Sequence, residues 1–408
     1  MRRWLTRNVV LLSAVSLAQD AASELLYPLM PILLTSVLGA PAVVVGAIEG
    51  VAEGVAAILR YLSGRLCDRV GRKPAIVLGY GLAAVGKLLI AAAGIWPVVL
   101  AGRVVDRIGK GMRGTPRDAL LVHDVDAADL GKVFGIHRVA DNLGAVIGPA
   151  LGLVVLLGAR ENLRVALWVA VIPALLSVGL TTIVRERPRQ PSQPDTRGDV
   201  TGPGNGTGAQ PAAPARVQQL PGRVRSLSVV LACIALVNFP DALLLLHLDE
   251  LGYSATAVLL IYMLYNAAMT LIAFPAGLLS DRLPKSRVYA VGLACFAVGY
   301  LGLGFLPAGP MLIAAFFVYG GFVGITDGVG KAWISALAPA DVRGHAQGLL
   351  QGLNGGAILI AGIWAGLLWD AGAGQGRVPL LVSGTVSAVG AVVLLVIGRH
   401  WDASVERS

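Results

Sequence analysis

Charge is what this sequence has least of. Asp, Glu, Lys and Arg make up 14% of its 408 residues, while apolar types make up 56%. Cysteine is nearly absent: Cys67, Cys233 and Cys295 have no short spacing between them and no paired histidine ligands. That excludes a disulfide framework and a zinc site, and no metal or other cofactor is expected. Enzyme motifs are missing as well. Gly330-Lys331 sits in a glycine-rich segment, but Ala332 stands where a phosphate-binding loop needs Ser or Thr. There is no nucleophile elbow and no paired-histidine metalloprotease helix, so an enzyme is not expected. Acidic residues number 24 against 33 Lys and Arg, a formal net charge of +9. The cations cluster at the ends of apolar runs rather than on one soluble face, which excludes a nucleic-acid partner.

What the sequence has in quantity is apolar length, with a mean hydropathy of +0.73. Val9–Leu38, Val43–Leu62, Ala75–Gly94 and Val378–Ile397 each approach the ~20 helical residues that cross a hydrocarbon core of ~30 Å. The first run follows a basic N-terminus but continues to Leu38, so it reads as a span and not as a cleaved signal. Comparing the chain with itself exposes a repeat. One ungapped shift of 213 superposes Leu38-Gly39 on Leu251-Gly252, Gly64 on Gly277, and Asp68-Arg69 on Asp281-Arg282. It also places Gly79 on Gly292, Gly86 on Gly299 and Gly111 on Gly324. Two parallel copies follow, each with six spans.

The expected fold is therefore an all-α membrane protein of twelve transmembrane helices in two six-helix halves. The halves are 1–184 and 226–408. Residues 185–225, rich in Pro, Gly and Ser, read as a disordered linker. Lys and Arg gather on one side, at Arg2, Arg3, Arg7, Arg65, Arg72, Lys73, the linker, Arg282 and Lys285. The positive-inside rule then puts both termini and the linker in the cytoplasm, in the inner membrane of the cell. His123, His137 and His345 fall near the cytoplasmic ends and read as solvated.

Between the second and third spans stands Gly64-Arg-Leu-Cys-Asp68-Arg69-Val-Gly71-Arg72-Lys73. It resembles the loop motif of the major facilitator superfamily, and a degenerate copy, Gly277-Leu-Leu-Ser-Asp281-Arg282, falls at the common shift. Ala101-Gly102-Arg103 resembles the fourth-span arginine motif of drug exporters such as the tetracycline/proton antiporters. Gly144-Ala-Val-Ile-Gly148-Pro149-Ala-Leu-Gly152 resembles the fifth-span antiporter motif. The resemblance implies rocker-switch transport, with Gly64, Asp68, Arg69, Gly71, Arg72, Arg103, Gly144, Gly148, Pro149, Asp281 and Arg282 as gating residues.

The stretch Gly102–Leu121 carries seven charged residues. On a helix at ~100° per residue, Arg103, Asp106, Arg107, Lys110, Arg113, Arg117 and Asp118 share an arc of about 140°, so the fourth span is amphipathic inside the membrane. Pro116 is a position at which it is expected to kink or end. Charges at that depth face the protein interior or a water-filled cavity. Asp20, Glu24, Glu53 and Asp141 are the candidate proton-coupling acids. Tyr27, Glu49, Arg107, Lys110 and Asn142 are the first-half cavity candidates. Asn238, Asp241, Tyr262, Asn266, Trp333 and Asn354 form the second-half wall. The shift of 213 sends Asp20, Glu24, Glu49 and Glu53 to Cys233, Val237, Tyr262 and Asn266, so the ionisable chemistry is concentrated in the first half.

The expected activity is proton-coupled export of a small organic molecule, with substrate, protons and the lipid bilayer as partners and the chain acting as a monomer. The alternatives are transport of an anionic metabolite, metal-chelate or oxyanion held by Arg107 and Lys110, and a membrane sensor without transport.

Overall fold

The computed structural model describes residues 5–121, 125, 129–186, 220–339 and 342–402. The linker expected over 185–225 therefore lies outside the described residues between 187 and 219, as does His123. Among the described residues all regular structure is helical.

Ten of the twelve spans are single helices: Ala42–Val70, Arg72–Ala92, Trp96–Leu121, Leu130–Gly158 and Leu163–Ile183 in the first half, and Ala255–Arg282, Lys285–Phe305, Pro310–Leu337, Arg343–Leu367 and Arg377–Ile397 in the second. The first and seventh are interrupted. The first runs as Arg7–Leu26, tightens to a 3₁₀ turn at Tyr27–Leu29 and ends in a wide π turn at Leu33–Val37, where Pro28 and Pro31 withhold two backbone donors. The seventh runs as Gly222–Ala235, breaks before Pro240 and restarts as Asp241–Glu250. Backbone freed by such breaks must find a partner inside the bundle; here the Trp364 indole donates to the Leu236 carbonyl at 2.8 Å. Among the described residues nine helices are long and apolar enough to cross a membrane; the heavily charged fourth span and the broken seventh are not among them.

Two details differ from the sequence reading. The motif after the second span is not a free loop: the helix continues to Val70, and the turn is reduced to Gly71 with φ +91°. The backbone N–H groups of Arg72 and Lys73 donate to the Glu186 carboxylate at 3.2 and 2.9 Å, which caps the third span from the end of the sixth. The side chains of Asp68, Arg69 and Asp281 and the surroundings of Gly64 lie outside the described residues. Gly277 has open space around its Cβ position, so the second copy's glycine serves no close approach. The fourth span passes through Pro116 and ends at Leu121.

The repeat governs packing in detail. Gly39 and Gly252, 213 apart, both adopt positive φ, +66° and +88°. Gly79 packs against Arg113 and Gly292 against Thr326; Gly86 packs against Asp106 and Gly299 against Tyr319. Each partner pair is again separated by 213. Within the first half, a Cβ on Gly144 would meet the Leu17 carbonyl at 2.6 Å, and one on Gly148 would strike the Ala21 carbonyl. These glycines let the fifth span lie against the first. Gly148→Leu should therefore lose most folded protein, since overpacking against backbone costs at least about 1–3 kcal/mol; detergent-solubilised yield and melting temperature check it.

Candidate functional site

A cavity of about 390 Å³ lies between the halves, bounded by the broken first and seventh spans and by the second, fourth, eighth and tenth. A second space of about 400 Å³ shares Glu53, Asn238, Val323 and Ile358 with it. That space continues past Asn354, Gln351 and Lys331, toward the end of the bundle that carries Gly71. At the other end the halves are in contact. A Cβ on Gly362 would meet the Gly46 carbonyl at 2.5 Å, and one on Gly50 would meet the Leu359 Cα at 2.6 Å. Ser36 donates to Asp249 at 2.7 Å, a pair 213 residues apart, so equivalent positions of the two halves meet there.

The first-half wall is an ion-pair network. Arg103 binds Glu49 through both carboxylate oxygens, at 2.8 and 2.7 Å, and its guanidinium lies 5.4 Å from the centre of the Tyr27 ring. Lys87 donates to Asp106 at 2.8 Å, and Asp106 also lies 3.7 Å from Arg103. Arg107 pairs with Glu53 at 3.1 Å and lies 3.9 Å from Glu49. Lys87, Arg103 and Asp106 are each 3% exposed or less, and a forked Arg–carboxylate contact is the geometry that makes such burial tolerable. Lys110 and Arg113 line the cavity farther along the same helix. Neither has an ion pair among the described residues, and Arg113 lies over the Tyr80 ring at 4.4 Å.

The second-half wall occupies the same positions with aromatic rings. Shifted by 213, Lys87, Arg103, Asp106 and Glu49 become Tyr300, Phe316, Tyr319 and Tyr262. Tyr300 and Tyr319 pack with centroids 5.1 Å apart, and Tyr265 stacks on both Tyr319 and Tyr262 at 5.5 and 5.9 Å. This cluster holds two acids through phenols. Asp241 accepts from Tyr265 at 2.8 Å and Tyr319 at 2.7 Å. Glu24, from the first half, accepts from Tyr262 of the second half at 2.7 Å.

A paired-repeat helical fold with a charged cavity between its halves has a counterpart among known proteins. The sequence profile of the Major Facilitator Superfamily matches residues 12–244 and again 226–406. The chain belongs to that superfamily. It is 30% identical over 374 residues to an uncharacterized MFS-type transporter of Methanocaldococcus jannaschii, covering 90% of this chain and 89% of that one. The class C tetracycline resistance protein of Escherichia coli is 26% identical over 389 residues, covering 90% and 93%. The crystal structure of the nucleoside transporter NupG superposes with a TM-score of 0.75 at 14% identity, covering 96% of this chain and 99% of that one; that likeness concerns the fold.

In this facilitator the cavity brings together Asp20, Glu24, Tyr27, Glu49, Glu53, Arg103, Arg107, Lys110, Asn238, Asp241, Tyr262 and Asn266. Asn354 lines the adjoining space. Three other sequence candidates are placed elsewhere. Asn142 is exposed on the fifth span, where its neighbours Leu143 and Val146 are exposed too. Trp333 is fully buried against Tyr289 and Trp401. Asp141 sits outside the cavity, 3.7 Å from His137. His137 itself is not solvated: it is 4% exposed, with Ser13 3.4 Å from its ring. Arg282 is exposed at the last turn of the eighth span, and Pro149 lies inside the fifth. Tyr319 escaped the sequence reading. Its signal was available, since the shift of 213 places it on Asp106.

Proposed function

We propose that the protein is a proton-coupled exporter of a small organic molecule, working by rocker-switch alternating access with the cavity as its transport site. The supporting observation is the hydrogen bond from Tyr262 to Glu24, a carboxyl of one half clasped by a phenol of the other across the cavity. Glu49 and Asp106 are held by fixed cations, whereas protonating Glu24 weakens its bond to the phenol and loosens the halves from each other. Proton binding is thereby coupled to the movement that exposes the cavity alternately. Asp20 and Glu53 face the same cavity and are the further coupling candidates. Export is supported by the whole-length likeness to a tetracycline resistance protein.

In this reading the motif end is cytoplasmic, with both termini on that side of the inner membrane. Residues 1–184 and 226–408 are the moving halves of a monomer joined by the 185–225 linker. Residues Gly64, Asp68, Arg69, Gly71, Arg72, Asp281 and Arg282 bound the cytoplasmic gate.

Everted vesicles energised acid-inside test it, with tetracycline and ethidium as probes. Each pH unit of gradient is worth about 1.4 kcal/mol, or roughly tenfold accumulation per coupled proton. Wild type should concentrate a probe and discharge the gradient. Glu24→Gln should bring the probe only to equilibrium. Proton-driven accumulation that survives in both Glu24→Gln and Glu53→Gln would sink the coupling scheme.

A further inference from the structure

The charges of the cavity do not cancel locally. Arg103 and Arg107 are committed to Glu49 and Glu53, and Lys87 to Asp106. Lys110 and Arg113, three residues apart on one helix, face the cavity with no ion pair among the described residues. Lys110 is exposed to the cavity space. Arg113 is 6% exposed, and its Nη1 has no hydrogen-bond partner among the described residues. Its guanidinium carbon lies over the Tyr80 ring, 4.4 Å from the centroid, a cation–π contact that helps to position it. Asp20 lies in the field of both cations without forming an ion pair to either. Two adjacent cations, one buried and underused, fit a carboxylate, phosphate or sulfonate.

The other side of the cavity has the opposite character. Glu24 and Asp241 are held by phenols and have no cation partner among the described residues. The rings of Tyr27, Tyr262, Tyr265 and Tyr319 pack in sequence beside them, with centroids 5.5–5.9 Å apart. Stacked aromatic faces next to carboxylates form the environment in which organic cations bind.

Resting on the reading of this cavity as the transport site, we propose that the substrate is an amphoteric organic molecule. Its anionic group docks on Lys110 and Arg113, and its cationic group sits among the tyrosines beside Glu24 and Asp241. The arrangement supplies a reason for exchange with protons. A proton and an organic cation are alternative partners for the same carboxylates, so occupancy by one excludes the other. The cation pair adds affinity for the substrate without adding affinity for the proton.

A matched set of xanthene dyes tests this by fluorescence polarisation on the purified full-length protein. Rhodamine B carries a delocalised cation and a carboxylate, its ethyl ester the same cation with the carboxylate masked, and fluorescein only negative charge. Rhodamine B should bind about tenfold or more tighter than either, the equivalent of one charge-assisted hydrogen bond. Lys110→Ala should erase its advantage over the ethyl ester while leaving the ester unchanged, and Lys110→Arg should restore it. Glu24→Gln should weaken both rhodamines and spare fluorescein. Equal binding of the two rhodamines, an undiminished preference in Lys110→Ala with its melting temperature intact, fluorescein binding as tightly as rhodamine B, or no binding of rhodamine B would each overturn the assignment. Dye binding needs no gradient, so it can fail while the proton coupling of Glu24 stands, and the reverse.

Discussion

A Gly362→Leu protein should fold, insert and bind ligand, yet transport at least a hundredfold more slowly than wild type. Gly362 and Gly46 are where the second and eleventh spans approach most closely, each backbone occupying the space a Cβ of the other would need. Gly366, one turn on, lies similarly against Val43, and Gly50 against Leu359. A leucine side chain there collides with backbone, which has no rotamer by which to yield. The collision exists only while this end is closed, so its cost falls on one of the two conformations that alternating access requires. A penalty of about 3 kcal/mol applied to one state moves a two-state equilibrium by on the order of a hundredfold. The contact between Ser36 and Asp249 reports the same closure. Cysteines at those two positions, in a background lacking Cys67, Cys233 and Cys295, should cross-link readily with a short bis-maleimide. Adding Gly362→Leu should cut that yield at least in proportion to the lost transport. An unchanged yield with unchanged transport would show that the leucine is accommodated in the closed state and that this contact does not set the balance between the two conformations.

The twelve spans and their duplication were legible because both rest on composition and register. Long apolar runs need no partner to be recognised, and the shift of 213 survives in glycine pairs such as Gly79 with Gly292 and Gly86 with Gly299, where neighbouring helices lie close. The two interrupted helices were less visible. Pro28, Pro31 and Pro240 stand in runs apolar enough to read as continuous, and only the tertiary cavity shows why the backbone opens there. The amphipathic face of the fourth span was readable as a stripe, but its partner assignments were not. Spacing alone could not decide that Arg103 takes Glu49, that Arg107 takes Glu53 and that Lys110 is left over. Asn142 and Trp333 were misplaced because a polar or amphiphilic residue in a span marks a cavity only statistically. Asn142 faces outward and Trp333 fills the core. The aromatic second half was the largest omission. It follows once the shift is applied to Lys87, Arg103 and Asp106 as well as to the acids, because the duplicated backbone keeps those positions inward while their chemistry changes from ion pairs to rings.

The same network makes Arg103 the position at which a single substitution should cost most. Its side chain bridges the second and fourth spans through two short bonds to Glu49 and sits near Asp106 and the Tyr27 ring. Arg103→Ala leaves Glu49, itself 3% exposed, with only the 3.9 Å approach of Arg107. Stranding a buried charge in this way typically costs about 3–5 kcal/mol, a large share of the stability of most proteins, so little folded protein should accumulate. Arg103→Lys keeps the charge but not the fork, and should recover only part of the loss. The informative variant is Arg103→Met combined with Glu49→Gln. Removing both charges together spares the desolvation that the pair endures, so folding should return to near the wild-type level while Asp106 keeps Lys87. If Arg103 merely holds helices together, transport by that double variant returns with its melting temperature. If the pair must also break and re-form as the halves rock, the double variant folds but its turnover stays low.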